Sequence, residues 1–325
     1  MTSTPASTAG SAGSAGSETI ARTRTVAPGT RARGPQRRIV KRLTPYLFLL
    51  VPLVLLITFT YYPMVKMFWY SVTNWDGVSP VQKFIGPKNY IEIYTRPELF
   101  RVFLVSLYYV AGSFVQMALA LYFATILSFS VRFKSLFKGI LFFPYLINAV
   151  AIAMMFLFFL RPGGALDAIL HVAHLGGLTQ QWLGDRAVVN FSLAGVSVWR
   201  YMGLNFVLFL GAIQSIPAQI YEAAELDGAS KWQQFRYLIA PGIRPIIGLS
   251  FILAIAGALS VFEIPFIMLN GANGSETFVI QTVRLAFQNQ KFGLASASAV
   301  VLLLLVLLVT WVQRKLVPDE KVDLT

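Results

Sequence analysis

Cysteine is absent from all 325 residues. Disulfides, thiolate nucleophiles and sulfur-ligated metals are thereby excluded, and the redox compartment is left unreadable. Charge is sparse as well: 13% of residues are charged, and the 14 acids are outnumbered by 27 lysines and arginines. No HExxH, GxSxG, P-loop or paired-carboxylate motif occurs, so an enzyme reading, including a membrane-embedded enzyme acting on lipid, lacks a clustered set of reacting groups. The glycines between Asn270 and Thr277 come without Gly-Lys-Ser/Thr and read as a turn. His171 and His174 have only Asp167 near them as a further ligand, and an ordinary surface helix accounts for them without a metal.

Apolar residues make up 56% of the chain, and the mean hydropathy is +0.64. They come in runs of about twenty residues, the length that crosses a bilayer as a helix. The formal net charge of +13 would point a soluble chain toward nucleic acid. Here no aromatic residues are interleaved with the basic ones, which flank the apolar runs as topology signals. The chain is therefore read as an all-α polytopic membrane protein that binds no nucleic acid.

Residues 1–42 form a basic tail rich in Ser, Thr, Ala, Gly and Pro, too poor in apolar surface to offset the entropy of ordering. Six spans are expected within residues 43–316, at about Pro45–Tyr62, Val102–Phe129, Gly139–Leu160, Val189–Ile213, Ile246–Leu269 and Phe292 to near Trp311. Residues 317–325 are a second short tail. The first apolar run is too long for a cleaved signal peptide, and no small-residue cleavage site follows it. The inside segments hold roughly twice as many basic residues as the outside ones, which puts both termini in the cytoplasm. Two charges fall within spans, Arg200 and Glu263. Each costs about 3 kcal/mol there unless paired or hydrated, so they either pair with one another or face a transport path.

The most strongly patterned stretch is Tyr221 to Pro241, YEAAELDGASKWQQFRYLIAP, between the fourth and fifth spans. After Pro217, Gln219–Leu226 are good helix formers. Asp227 and Gly228 stop that helix, glycine because a left-handed residue without a Cβ meets no clash. Ser230 with Gln233 forms a capping box for a second helix, which Pro241 is expected to end.

The order Glu222, Ala223, Ala224, Gly228 and Pro241 resembles the EAA loop of ABC importer permeases, most closely the sugar branch and its larger, maltose-type subunit. Leu238 and Ala240 replace the usual Ile and Leu ahead of the proline. Phe84, Ile85, Gly86, Asn89 and Tyr90 are similar to the family's signature before the second span. The resemblance covers about Leu43 to Leu316.

That resemblance implies the transmembrane domain of a type I ABC importer, multi-pass in the plasma membrane of a prokaryote. Residues 217–241 would be the cytoplasmic coupling loop, with Glu222, Ala223, Ala224, Asp227, Gly228 and Pro241 meeting an ATPase. A second permease, two copies of the ATPase, an extracytoplasmic solute-binding protein, membrane lipid and a sugar substrate are the implied partners. This chain would bind no cofactor, because ATP and Mg belong to the ATPase. Sugar-facing positions of the maltose-type subunit fall at Ser197, Tyr201 and Leu204, and at Ala254, Ala258 and Val261. Ser197, Tyr201, Arg200 and Glu263 are the expected substrate path. The apolar positions on the fifth span depart from the maltose pattern and suit helix packing. A permease for glycerol phosphate or a polyamine is the alternative. A secondary transporter would need more titratable groups in the membrane than Glu263 alone, and an internal repeat.

Overall fold

The computed structural model describes residues 47–129 and 133–316. The basic tail at 1–42 and the end at 317–325 lie outside the described residues. The chain divides after Ile57 into two units. The described part of the first, Leu47–Ile57, is apolar helix. It belongs to α1, Leu47–Ser71, whose turn widens at Ile57–Tyr61 just ahead of Pro63. A proline ring with no N–H is an ordinary cause of such local widening.

The second unit is helical, with a single isolated antiparallel bridge, Thr73 to Phe84, among the described residues. Its helices include α2 (Lys88–Thr95), α3 (Phe103–Ser128), which a short helix at Pro97–Arg101 precedes, α4 (Lys134–Leu146), α5 (Ala149–Leu160), α6 (Ala165–Val172) and α7 (Val189–Gln214). They are followed by α8 (Ala218–Leu226), α9 (Lys231–Gln234), α10 (Arg244–Leu259), α11 (Glu263–Leu269), α12 (Phe278–Phe287) and α13 (Phe292–Leu316). Five helical segments are long and apolar enough to cross a membrane, with α10 and α11 together as one of them (Arg244–Leu269), and α4 with α5 would make a sixth span bent by 97°.

That bend corrects the expectation of one straight span over Gly139–Leu160. Ile147 and Asn148 are both extended, and the Asn148 side chain accepts the Val150 amide, so the helix stops and restarts under a fresh cap. α4 leans on α7 where Gly203 leaves room. A methyl placed there would lie 2.5 Å from the Leu141 carbonyl oxygen.

The expected fifth span is present as Arg244–Leu269, interrupted locally at Ser260, Val261 and Phe262 between α10 and α11. A free carbonyl in the membrane interior is costly. The one on Val261 accepts a hydrogen bond from the buried Thr277 hydroxyl at 2.9 Å. α12, which the sequence reading left undescribed, starts at the same Thr277, whose oxygen also accepts the Ile280 amide.

α3 and α7 pack along their length and form the centre of the unit. One apolar cluster gathers Ile152, Val189, Leu193, Val196 and Ile264. A second gathers Ala120, Phe206, Phe209, Ile213, Ile239 and Ile243. The end of α1 is tied down by the residues of the sequence signature. The buried Asn89 amide donates to the Ser71 and Thr73 carbonyls, both at 2.8 Å, and the Tyr90 hydroxyl bonds Ser71 Oγ at 2.7 Å. Gly86 supplies the left-handed turn between them, with φ +65°.

Candidate functional site: a helical hairpin and a membrane cleft

The hairpin between α7 and α10 follows its local chemistry closely. Pro217 precedes α8 as its N-cap, and Gly228 after the helix has φ +75°. Ser230 and Gln233 form the reciprocal capping box, with Ser230 Oγ accepting the Gln233 amide and Gln233 Oε1 accepting the Ser230 amide. Pro241 does not end the second helix. A wide turn over Phe235–Ile239 precedes it, and the proline sits within a last short turn, Ala240–Gly242. The wider ring displaces the carbonyl that the proline would otherwise clash with.

The hairpin has a buried foot and an exposed tip. Ile239 and Ile243 pack with Phe206, Phe209 and Ile213 at the inner end of α7. Toward the tip, Leu226 is 89% exposed and Trp232 69%, and Tyr237 is exposed as well. Glu222, Ala223, Asp227, Gly228 and Pro241 are exposed, and Ala224 is half-buried. Glu222 has no ion-pair partner among the described residues. Glu225 pairs with Lys231 across the turn, and that lysine holds its carboxyl below the usual carboxylate range.

A cleft of about 540 Å³ opens between α3, α7, α10 and the start of α11. This lies within the range of small-molecule sites. Ser197, Tyr201, Leu204, Ala254, Ala258 and Val261 all line it, so one cavity gathers the positions that the resemblance picked from two separate spans. Glu263 lines it too. Arg200 does not, but its Nη1 donates to Glu263 Oε2 at 2.8 Å and to the Tyr201 hydroxyl at 3.1 Å. Its guanidinium carbon lies 4.9 Å from the Tyr201 ring centroid, a cation–π distance. Glu263 is the one charged residue of the lining, and Arg200 neutralises it from behind.

The sequence reading missed the wall contributed by α3. Tyr109, Ser113 and Gln116 line the cleft from that helix, and Asn205 from α7. The signal was there: a spacing of four and three places Tyr109, Ser113 and Gln116 on one face of an otherwise apolar helix. Asp167 is occupied elsewhere. It accepts hydrogen bonds from Trp182 Nε1 and the Gly163 amide, which hold its carboxyl below its ordinary value.

Membrane-length helices enclose a largely apolar cleft with a few polar groups, and a helical hairpin projects from two of them. The family described as "Binding-protein-dependent transport system inner membrane component" matches residues 116–322. The chain belongs to this family. It is 33% identical to the probable ABC transporter permease YurN of Bacillus subtilis over 280 residues, 84% of this chain and 96% of the relative. It is 28% identical to the sn-glycerol-3-phosphate permease UgpA of Pectobacterium atrosepticum, covering 86% of this chain and 95% of the relative. It is also 28% identical to the multiple sugar-binding transport system permease MsmF of Streptococcus mutans, covering 86% and 97%. The fold is shared with a bacterial alginate ABC transporter solved with an alginate pentasaccharide-bound periplasmic protein, at a TM-score of 0.75 and 20% identity. The match covers 86% of this chain and 96% of that one.

Proposed function

We propose that the chain is one of two membrane subunits of a prokaryotic ATP-driven importer that takes up an uncharged sugar or oligosaccharide. An extracytoplasmic binding protein delivers the solute, both termini lie in the cytoplasm, and two copies of an ATPase hold ATP and Mg. The observation that carries this reading is a hairpin with exposed Leu226, Trp232 and Tyr237 whose two ends run directly into α7 and α10, two walls of the cleft. Large exposed apolar residues at a hairpin tip suit docking into another subunit. Closure of the ATPase would act on those walls through Glu222, Ala223, Ala224, Asp227, Gly228 and Pro241. Ser197 and Tyr201 offer hydroxyls to the solute, and Glu263 accepts from two sugar hydroxyls at once.

The kinship with UgpA favours a second reading, a glycerol phosphate permease. An anion is poorly served, since no Lys, Arg or His lines the cleft and Arg200 is engaged by Glu263. The sugar reading has support in the kinship with MsmF.

Purification from native membranes, with identification of the co-purifying subunits, tests the reading. An ATPase and a second permease should be recovered, and both should be lost when Glu222 and Gly228 are replaced together. Recovery of this chain alone, still transporting without ATP, would sink the proposal.

A further inference from the structure

Gln116 on α3 and Asn205 on α7 share an unusual condition. Both line the cleft, yet they are only 7% and 5% exposed, and neither side-chain amide has a hydrogen-bond partner among the described residues. Neither amide is sealed off from the cleft, so each keeps its donors and its acceptor open to whatever occupies it. By contrast, the Ser113 and Ser197 hydroxyls in the same wall donate back to their own helices, to the carbonyls of Val110 and Leu193. Together with the Tyr109 hydroxyl, which is also without a partner among the described residues, the two amides are the uncommitted polar groups of the wall that α3 and α7 build.

Their place in the fold adds to this. Asn205 stands one helical turn nearer the hairpin than Tyr201. The next residues in sequence, Met117 and Phe206, belong to the apolar cluster that also holds Ala120, Phe209 and Ile213. The amides therefore sit toward the inner end of the cleft, next to the packed apolar residues above the hairpin.

We infer that Gln116 and Asn205 form a hydrogen-bonding subsite for the hydroxyl groups of an uncharged polyhydroxylated solute, separate from the Arg200–Glu263 end of the cleft. This inference rests on the importer reading given above. Each amide offers a carbonyl acceptor and an NH₂ donor, and each hydroxyl both donates and accepts, so a polyol can satisfy all four groups. A phosphate or carboxylate would satisfy only the two NH₂ groups and would leave both carbonyl oxygens facing its charge.

The test uses the complete transporter with its binding protein in proteoliposomes. Radiolabelled maltose and raffinose serve as uncharged probes and glycerol 3-phosphate as the anionic one. An uncharged probe should be carried by the wild type. In Gln116→Met and in Asn205→Leu the ATP hydrolysed per solute carried should rise about tenfold, the discrimination expected when a hydrogen-bonding site loses one partner. Gln116→Asn should recover part of the loss.

Gln116→Cys and Asn205→Cys provide a second measurement, because the chain has no cysteine of its own. A small methanethiosulfonate reagent should label both, and the transported probe should protect both. Uptake of an uncharged probe with unchanged coupling in the Met and Leu variants and no protection of either cysteine would overturn the subsite and leave the importer reading standing. Uptake of glycerol 3-phosphate alone would also overturn it. No ATP-dependent uptake of any probe by the wild type would remove the importer reading and the subsite with it.

Discussion

Arg200 Nη1 lies 2.8 Å from Glu263 Oε2, joining α7 to the first residue of α11 across 63 positions of sequence. The arginine side chain is 12% exposed, and its Nε has no partner among the described residues. Removing Glu263 alone leaves a desolvated guanidinium held only by the Tyr201 hydroxyl, whereas removing both charges leaves nothing uncompensated.

Glu263→Met should therefore destabilise the protein more than the double variant Arg200→Met/Glu263→Met. A double-mutant cycle on thermal unfolding in detergent should give a coupling of roughly 1 kcal/mol or more. Additive single effects would show that the pair contributes nothing to stability.

Gly228 has φ +75° and no atom within 4 Å of where a Cβ would stand, so substitution there is penalised by the backbone and not by packing. The left-handed conformation costs most L residues about 1–2 kcal/mol, and asparagine less. Gly228→Val should abolish uptake while membrane insertion stays normal. Gly228→Asn should keep most of the activity, as read by transport assay beside a membrane-fraction blot.

Gly203 is the opposite case. An added methyl would meet the Leu141 carbonyl oxygen at 2.5 Å and Phe142 Cα at 3.0 Å, both backbone atoms that cannot rotate away. Gly203→Ala should cost about 1–3 kcal/mol by overpacking and lower the Tm in detergent. Gly195→Ala and Gly211→Ala, on the same helix with open space around them, should leave the Tm near that of the wild type.

Asp76 caps a turn outside the spans. Its carboxylate accepts the Ser79 hydroxyl and the Val78 and Ser79 amides, and these bonds, the hydroxyl first, lower its pKa to about 2. Because the folded value lies below the unfolded one, about 3.9, the stabilisation is complete above that unfolded value and is lost as the pH falls through the folded one. Trp75 Nε1 donates to the Ser79 carbonyl in the same turn and reports on it. The emission lost in Trp75→Phe should titrate with a midpoint near 2, and Ser79→Ala should move that midpoint toward about 4.

The hairpin was legible almost residue by residue, because glycine in a left-handed turn and a Ser/Gln capping box are decided within a few positions. The interruptions of the third and fifth spans were not. Pro144 and the capping side chain of Asn148 were visible signs of the first, but hydropathy runs unbroken through Ile147. Nothing local marks Ser260–Phe262. That break is satisfied by Thr277, sixteen positions beyond Val261, a tertiary bond that no local pattern announces. The cleft was half legible: the resemblance places Ser197 and Tyr201, while Gln116 shares a polar face with Tyr109 and Ser113 in a span without a family motif, and the packing of α3 against α7 is what turns that face to the cleft.

The division of the fifth span has a mechanical result. α10 continues from the hairpin and packs on α3, whereas α11 packs mainly on α5, the second limb of the bent span. A pull on the hairpin is carried along the backbone into α7 and α10. It reaches α11 through three non-helical residues, through the packing of Ile264 and Met268 beside Leu193 and Val196, and across the Arg200–Glu263 contact. Of these links the Arg200–Glu263 contact is the one made by an ion pair between two side chains, so charge as well as packing fastens α11 to α7.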